Sequence, residues 1–109
     1  MKVNEMAETL KLEQITYAPD DVEITGVYVC DLLSRVMSGC RPGNILITVH
    51  THLNVLAVAE LNEAACIIIP ENINVGSATV EKALDKGICI LKSSLSAYEL
   101  CWRLHDLLS

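Results

Sequence analysis

A chain of 109 residues, half of them apolar, is long enough for one domain that buries roughly two-thirds of its surface without disulfide or metal staples. Its net charge of −6 comes with no Lys/Arg cluster that would release counterions from a phosphate backbone, which argues against nucleic-acid binding. No apolar run reaches membrane-spanning length and no signal-peptide core opens the chain. Five cysteines, odd in number and mostly in apolar surroundings, fit a reducing cytosol better than a disulfide framework, so a cytoplasmic protein is expected.

Val3, Met6, Ala7 and Leu10 recur at helical spacing and predict a short amphipathic helix. Residues Lys11 to Ala18 alternate as a strand near a sheet edge, closed by the turn Pro19-Asp20-Asp21. Glu23 to Cys30 reads as a second strand, in which Gly26 marks either a bulge or a close backbone approach. Asp31 is placed to cap a helix from Leu32 to Ser38, with Gly39 beyond its end. Asp31 and Arg35, four apart, read as a solvated face with one weak ion pair. Cys40, in the loop before Pro42 and beside Arg41, is the one thiol expected to be accessible.

Asn44 to Val49 and Ala65 to Ile69 are apolar on both faces, the mark of parallel strands covered on both sides. Leu53 to Leu61, apolar almost all round, predicts a largely buried helix between them. The three make a βαβ unit, whose polar punctuation is His50-Thr51-His52-Leu53-Asn54. Ser77 to Lys86 is predicted as a helix ended by Gly87, and Ile88 to Leu91 as a further buried strand. Ser96 and Glu99 form a capping box before the last helix, where Glu99 precedes Arg103 by four. Tyr98, Trp102 and His105 give that helix a second stripe, which sits deep in the core or meets a partner. Alternating strands and helices predict an α/β fold: a single three-layer domain over residues 1–109, with a mostly parallel sheet flanked by helices.

Chemistry is harder to find in the pattern. His50 and His52 point the same way on an extended backbone, which is half of a metal site, but no spacing supplies a third ligand. Alternatively, one ring packs beside the turn while the other is solvated. The cysteines include no C-x-x-C pair, and no Ser/His/Asp or Cys/His arrangement follows from spacing. What remains is a surface. In a parallel sheet the polar loops after the strands share one edge, where ligands of open α/β sheets bind. Thr51, His52 and Asn54 are the candidate ligand contacts there, supported by Ser93 and Ser94 if their strand is adjacent. The competing reading is that Thr51, Ser77 and Ser96 merely cap their helices.

Three segments carry a resemblance: I-T-G-V-Y-V-C-D-L-L-S-R-V-M-S-G (Ile24 to Gly39), P-G-N-I-L-I-T-V-H-T-H-L-N-V-L-A-V-A (Pro42 to Ala59) and L-S-A-Y-E-L-C-W-R-L (Leu95 to Leu104). Over nearly its whole length the chain resembles the DRTGG-domain family. The resemblance implies a fold similar to the N-terminal domain of HPr kinase/phosphorylase and a non-enzymatic role. Relatives are fused to CBS modules, phosphate acetyltransferases and pyrophosphatases, or stand alone beside iron-hydrogenase genes. The Asp-Arg-Thr-Gly-Gly run itself is missing, and Thr51-His52-Leu53 stands where relatives carry Gly-Asp-Arg. A protonated His52 would partly replace that arginine. Phosphoryl transfer of the HPr-kinase kind is excluded, because no G-x-x-x-x-G-K-[ST] loop exists to hold the phosphates. The expectation is a non-catalytic regulatory or interaction module without cofactor or metal, homodimeric or attached to a larger protein. The alternative is a domain that binds a small anion or nucleotide through loops at the strand C-termini.

Overall fold

The computed structural model describes residues 1–109. Five strands, β1 (Glu13–Gln14), β2 (Gly26–Val29), β3 (Asn44–Ile47), β4 (Cys66–Ile69) and β5 (Ile90–Lys92), form one sheet in the order β1-β5-β4-β3-β2. The last four are parallel and β1 pairs antiparallel with β5, Glu13 opposite Lys92. The helices are α1 (Val3–Thr9), α2 (Leu33–Gly39), α3 (Asn54–Leu61), α4 (Ser77–Lys86) and α5 (Ala97–Leu108). None is long and apolar enough to cross a membrane. The predicted three-layer α/β arrangement is the observed one.

The central strands explain the layering. Every residue of β3 and β4 is buried, and successive side chains alternate between two cores. Ile45, Ile47, Cys66, Ile68 and Leu91 pack with Val3, Met6, Leu100 and Leu104 of α1 and α5. Leu46, Ile67, Ile69 and Ile90 pack on the other face with Val36, Leu56 and Ala83 of α2, α3 and α4. Each buried aliphatic side chain contributes about 1.5–3 kcal/mol, so these two layers dominate the stability of the domain.

Several local expectations are corrected. β1 is only two residues long, because Ile15 and Thr16 both donate to the Ile90 carbonyl and the Thr16 side chain takes over the next bonds. β2 begins at Gly26, since Ile24 is tied to the Met1 carbonyl and Thr25 to that of Gly43. Its pairing with β3 runs without a bulge, and a Cβ on Gly26 would lie 3.1 Å from Asn44 Nδ2, so close approach is the reason for that glycine. α3 is buried on one side only: Val55, Leu56, Val58 and Ala59 face the sheet, whereas Leu61 is 67% exposed. A helix in an outer layer packs on the sheet and, here, on α2 and α4 beside it, and its outward face stays in solvent.

Asp31 does not cap α2, whose N-cap is Leu32 with no side-chain bond. Its Oδ1 accepts from Thr48 Oγ1 and from the Val49 N–H, both at 2.9 Å, and no ion pair to Arg35 forms. β2 and β3 are parallel neighbours, so their ends emerge side by side and the carboxylate latches them together. Gly39 is the last residue of α2 and not the one beyond it. A Cβ there would lie 2.5 Å from the Tyr28 hydroxyl oxygen. Cys40 is buried in the α2–α3 core, so the thiol expected to be accessible is not.

Candidate functional site

Parallel strands deliver four polar loops to one edge of the sheet, and β1 brings Lys11 and Glu13 to the same edge from the opposite direction. The loop after β3 is held largely by its own bonds. His50 N–H donates to Thr48 Oγ1 at 3.1 Å, and the Thr51 carbonyl accepts from Thr79 Oγ1 of α4 at 2.9 Å. Neither Thr51 nor Ser77 caps a helix through its side chain, whereas Ser96 Oγ does accept from the Glu99 N–H at 3.2 Å. At α3 the imidazole does that work: His52 Nδ1 accepts from the Asn54 N–H at 3.2 Å. Only an unprotonated Nδ1 can accept, so a charged His52 gives up this bond. Asn54 and His52 are both exposed, and Thr51 is half-buried.

The His50 and His52 rings meet edge to face with centroids 6.4 Å apart, and His50 Nδ1 is buried without a hydrogen-bond partner. No group of three or more His, Cys, Asp or Glu side chains is placed to hold a metal ion. Among the thiols, burial pushes Cys89 up to about 12, raises Cys66 well above the ordinary range, and raises Cys40. Such thiols stay protonated and unreactive near neutral pH.

Ser93 and Ser94 do not join the Thr51–Asn54 loop. β4 lies between β3 and β5, so the two groups are separated by a strand. No cavity of the molecule is lined by Thr51, His52 or Asn54. Ser93 and Ser94 instead line a cavity of about 390 Å³ with Asn72, Lys11, Lys92 and Arg103. Three of the chain's eight basic residues thus surround one polar hollow in a molecule of net charge −6. The one carboxylate in its wall is Glu13.

The hollow is built by tight backbone. The Glu71 N–H donates to the Leu95 carbonyl at 2.8 Å and the Asn72 N–H to the Ser93 carbonyl at 2.7 Å. Glu71 and Asn72 both take left-handed φ, 60° and 57°, as does Lys11 at 55°. Lys11 takes it as the residue that closes α1, where the Leu12 N–H bonds back to the Ala7 carbonyl, just as Glu63 closes α3 through Ala64 and Ala59, whereas Glu71 and Asn72 adopt it within a loop. Lys92 Nζ is steadied by Asn74 Oδ1 at 2.6 Å, and Arg103 by Glu99 at 3.4 Å. Ser93 is buried, and its Oγ accepts from the Leu95 N–H at 3.0 Å. Sequence reasoning missed Lys11 and Arg103, because no motif joins residues from opposite ends of the chain. A second hollow, about 450 Å³ and mostly apolar, lies between β2 and α5 and includes Gly26, Val29, Leu104 and His105.

No protein-family model and no curated protein matches the chain. Among solved structures, the fold is similar to the CBS and DRTGG domains of the regulatory region of Clostridium perfringens pyrophosphatase, determined in complex with its activator diadenosine tetraphosphate. The TM-score is 0.68 at 13% identity, over 90% of this chain and 43% of that one. The chain therefore spans less than half of that structure's length, and the likeness is one of fold.

Proposed function

We propose that this domain is a non-catalytic regulatory module of the DRTGG type that binds a small anion at the carboxyl edge of its sheet. The observation that carries the reading is the hollow after β5, where Lys11, Lys92 and Arg103 converge in an acidic protein. Glu13 in the wall and Glu99 on Arg103 offset part of this positive charge, and a bound anion would offset the rest. The neighbouring fold belongs to a regulatory region crystallised with a polyphosphorylated activator, which supports the same reading. Binding would report through stability. A ligand present at about a hundred times its Kd adds roughly 2.7 kcal/mol, several degrees in Tm for a domain of this size. Native mass spectrometry and a thermal-shift screen of nucleotides and inorganic anions test the proposal. The expected result is a retained, unmodified ligand. No hit, or turnover of a hit by the isolated chain, refutes the reading.

Self-association is a second reading, favoured by exposed apolar side chains. Tyr98 is 78% exposed on α5, and Val29, Leu32 and Met37 are exposed beside the unpaired edge of β2. Sedimentation at micromolar concentrations tests it, and a single species of 11.9 kDa removes it.

A further inference from the structure

The only tryptophan of the chain, Trp102, is 45% exposed although the protein has few aromatic residues with which to build a core. It stands on α5 beside Arg103, whose guanidinium carbon lies 5.0 Å from the centre of the indole ring. Two hollows meet at this point. One is the cationic cavity after β5. The other, about 400 Å³, is walled by Trp102, Asp106 and Thr9, and Leu10 and Arg103 line both. A site for phosphate and a flat aromatic surface are therefore continuous.

We infer that this composite surface is a nucleotide site, with phosphate between Lys11, Lys92 and Arg103 and the base against Trp102. The inference rests on the ligand-binding reading above and names its ligand class and residues. Three cations against Glu13 and the Arg103-paired Glu99 leave a net charge of +1 around the cavity, suited to a phosphorylated ligand. The ammonium groups of Lys11 and Lys92 and the unused guanidinium N–H groups of Arg103 supply charged donors. Ser93 Oγ already accepts from Leu95, and its own proton has no acceptor in the protein, so it is free for a phosphate oxygen. The Glu71 and Asn72 N–H groups are consumed by Leu95 and Ser93. Side chains, and not a backbone cradle, hold the phosphates here. Bases stack on exposed indoles with little regard to identity, and the Asp106 carboxylate beside Trp102 can accept from an exocyclic amine. Phosphate affinity and base affinity are thus separable.

ADP is the probe, followed by the fluorescence of the single Trp102 and by calorimetry, with inorganic tripolyphosphate as the partner lacking a base. The expected result is a saturable change in Trp102 emission with ADP. Tripolyphosphate displaces ADP, and its own effect on the emission, exerted only through Arg103 beside the indole, is smaller than that of ADP. Lys92→Ala and Arg103→Gln each weaken ADP at least tenfold, and calorimetry on Trp102→Leu shows ADP weakened while the affinity for tripolyphosphate is kept. If Lys92→Ala fails to fold, the exposed Lys11→Asn replaces it, since Asn tolerates the left-handed φ of that position. ADP affinity unchanged within twofold in the charge variants overturns the site. ADP binding lost instead in His52→Ala or Asn54→Ala overturns it too, and leaves the ligand-binding reading standing. No binding by any nucleotide or anion overturns both.

Discussion

Thr16 and Ile90 exchange two hydrogen bonds at the edge of the sheet: the Thr16 N–H donates to the Ile90 carbonyl at 3.1 Å, and the Ile90 N–H donates to Thr16 Oγ1 at 2.7 Å. The hydroxyl in turn donates to the Ile88 carbonyl at 2.5 Å. A side chain continues the ladder where β1 stops. Thr16→Val keeps the shape and removes the partner of a buried N–H, so the expected loss is about 1–3 kcal/mol. Thr16→Ser retains most of the stability. Urea denaturation of the three proteins measures both, and equal midpoints for Val and Thr would contradict the assignment.

Asn62 ends α3 and closes α2. Its Nδ2 lies 3.1, 2.9 and 2.8 Å from the carbonyl oxygens of Val36, Met37 and Cys40. These carbonyls sit at the end of a helix and have few other donors. Asn62→Ala is expected to lower stability by about 1–3 kcal/mol. Asn62→Asp should be worse, since it turns a carboxylate toward three acceptors. A smaller effect for Asp than for Ala, by thermal denaturation near neutral pH, would rule out the capping role.

Gly39→Ala drives a methyl group into the Tyr28 ring, whose hydroxyl also donates to the Arg35 carbonyl at 3.1 Å. Overpacking of this kind costs about 1–3 kcal/mol. Tyr28→Leu beside Gly39→Ala relieves the clash, so the two changes are non-additive in a double-mutant cycle. Strict additivity counts against the contact.

The buried thiols set an alkaline limit. Burial pushes the Cys89 thiol up to about 12 from the ordinary 9.0, and desolvation raises Cys66 and Cys40 in the same direction. A raised thiol pKa means the unfolded chain loses protons first. The contribution is intact below pH about 9 and is lost progressively as the pH rises toward 12. Urea midpoints should therefore fall between pH 8.5 and 10.5, and fall less in Cys89→Ala. In the native state alkylating reagents should modify the half-buried Cys30 and Cys101 before these three.

The parts of the fold legible in sequence are those set by local pattern. β3 and β4 declare themselves by being apolar on both faces, and α4 runs from Ser77 to Lys86 as its periodicity requires. α5 begins at the Ser96 cap and carries the Glu99–Arg103 pair. Bonds that leave one element for another were not legible. Asp31 satisfies β3 and not its own helix, Asn62 caps a helix other than its own, and Thr16 replaces a strand. The candidate site suffered from the same limit. Nothing local says that β4 separates Ser93 and Ser94 from Thr51, His52 and Asn54, or that Lys11 and Arg103 flank the serines.

The pairing of β1 with β5 also fixes an order of events. Thr16 and Ile90 are 74 residues apart, and the face of the sheet bearing Ile45, Ile68 and Leu91 is covered by α1 and α5, the first and last helices. The α2–α3–α4 face is built from neighbours in sequence and can close while the chain is still being synthesised. The other face is completed only when α5 has emerged, although the start of α1 is tied to Val22 and Ile24 ahead of β2. We expect pulse-labelled hydrogen exchange during refolding to protect the amides of α3 before those of α1. Simultaneous protection would show instead that both faces condense in one step.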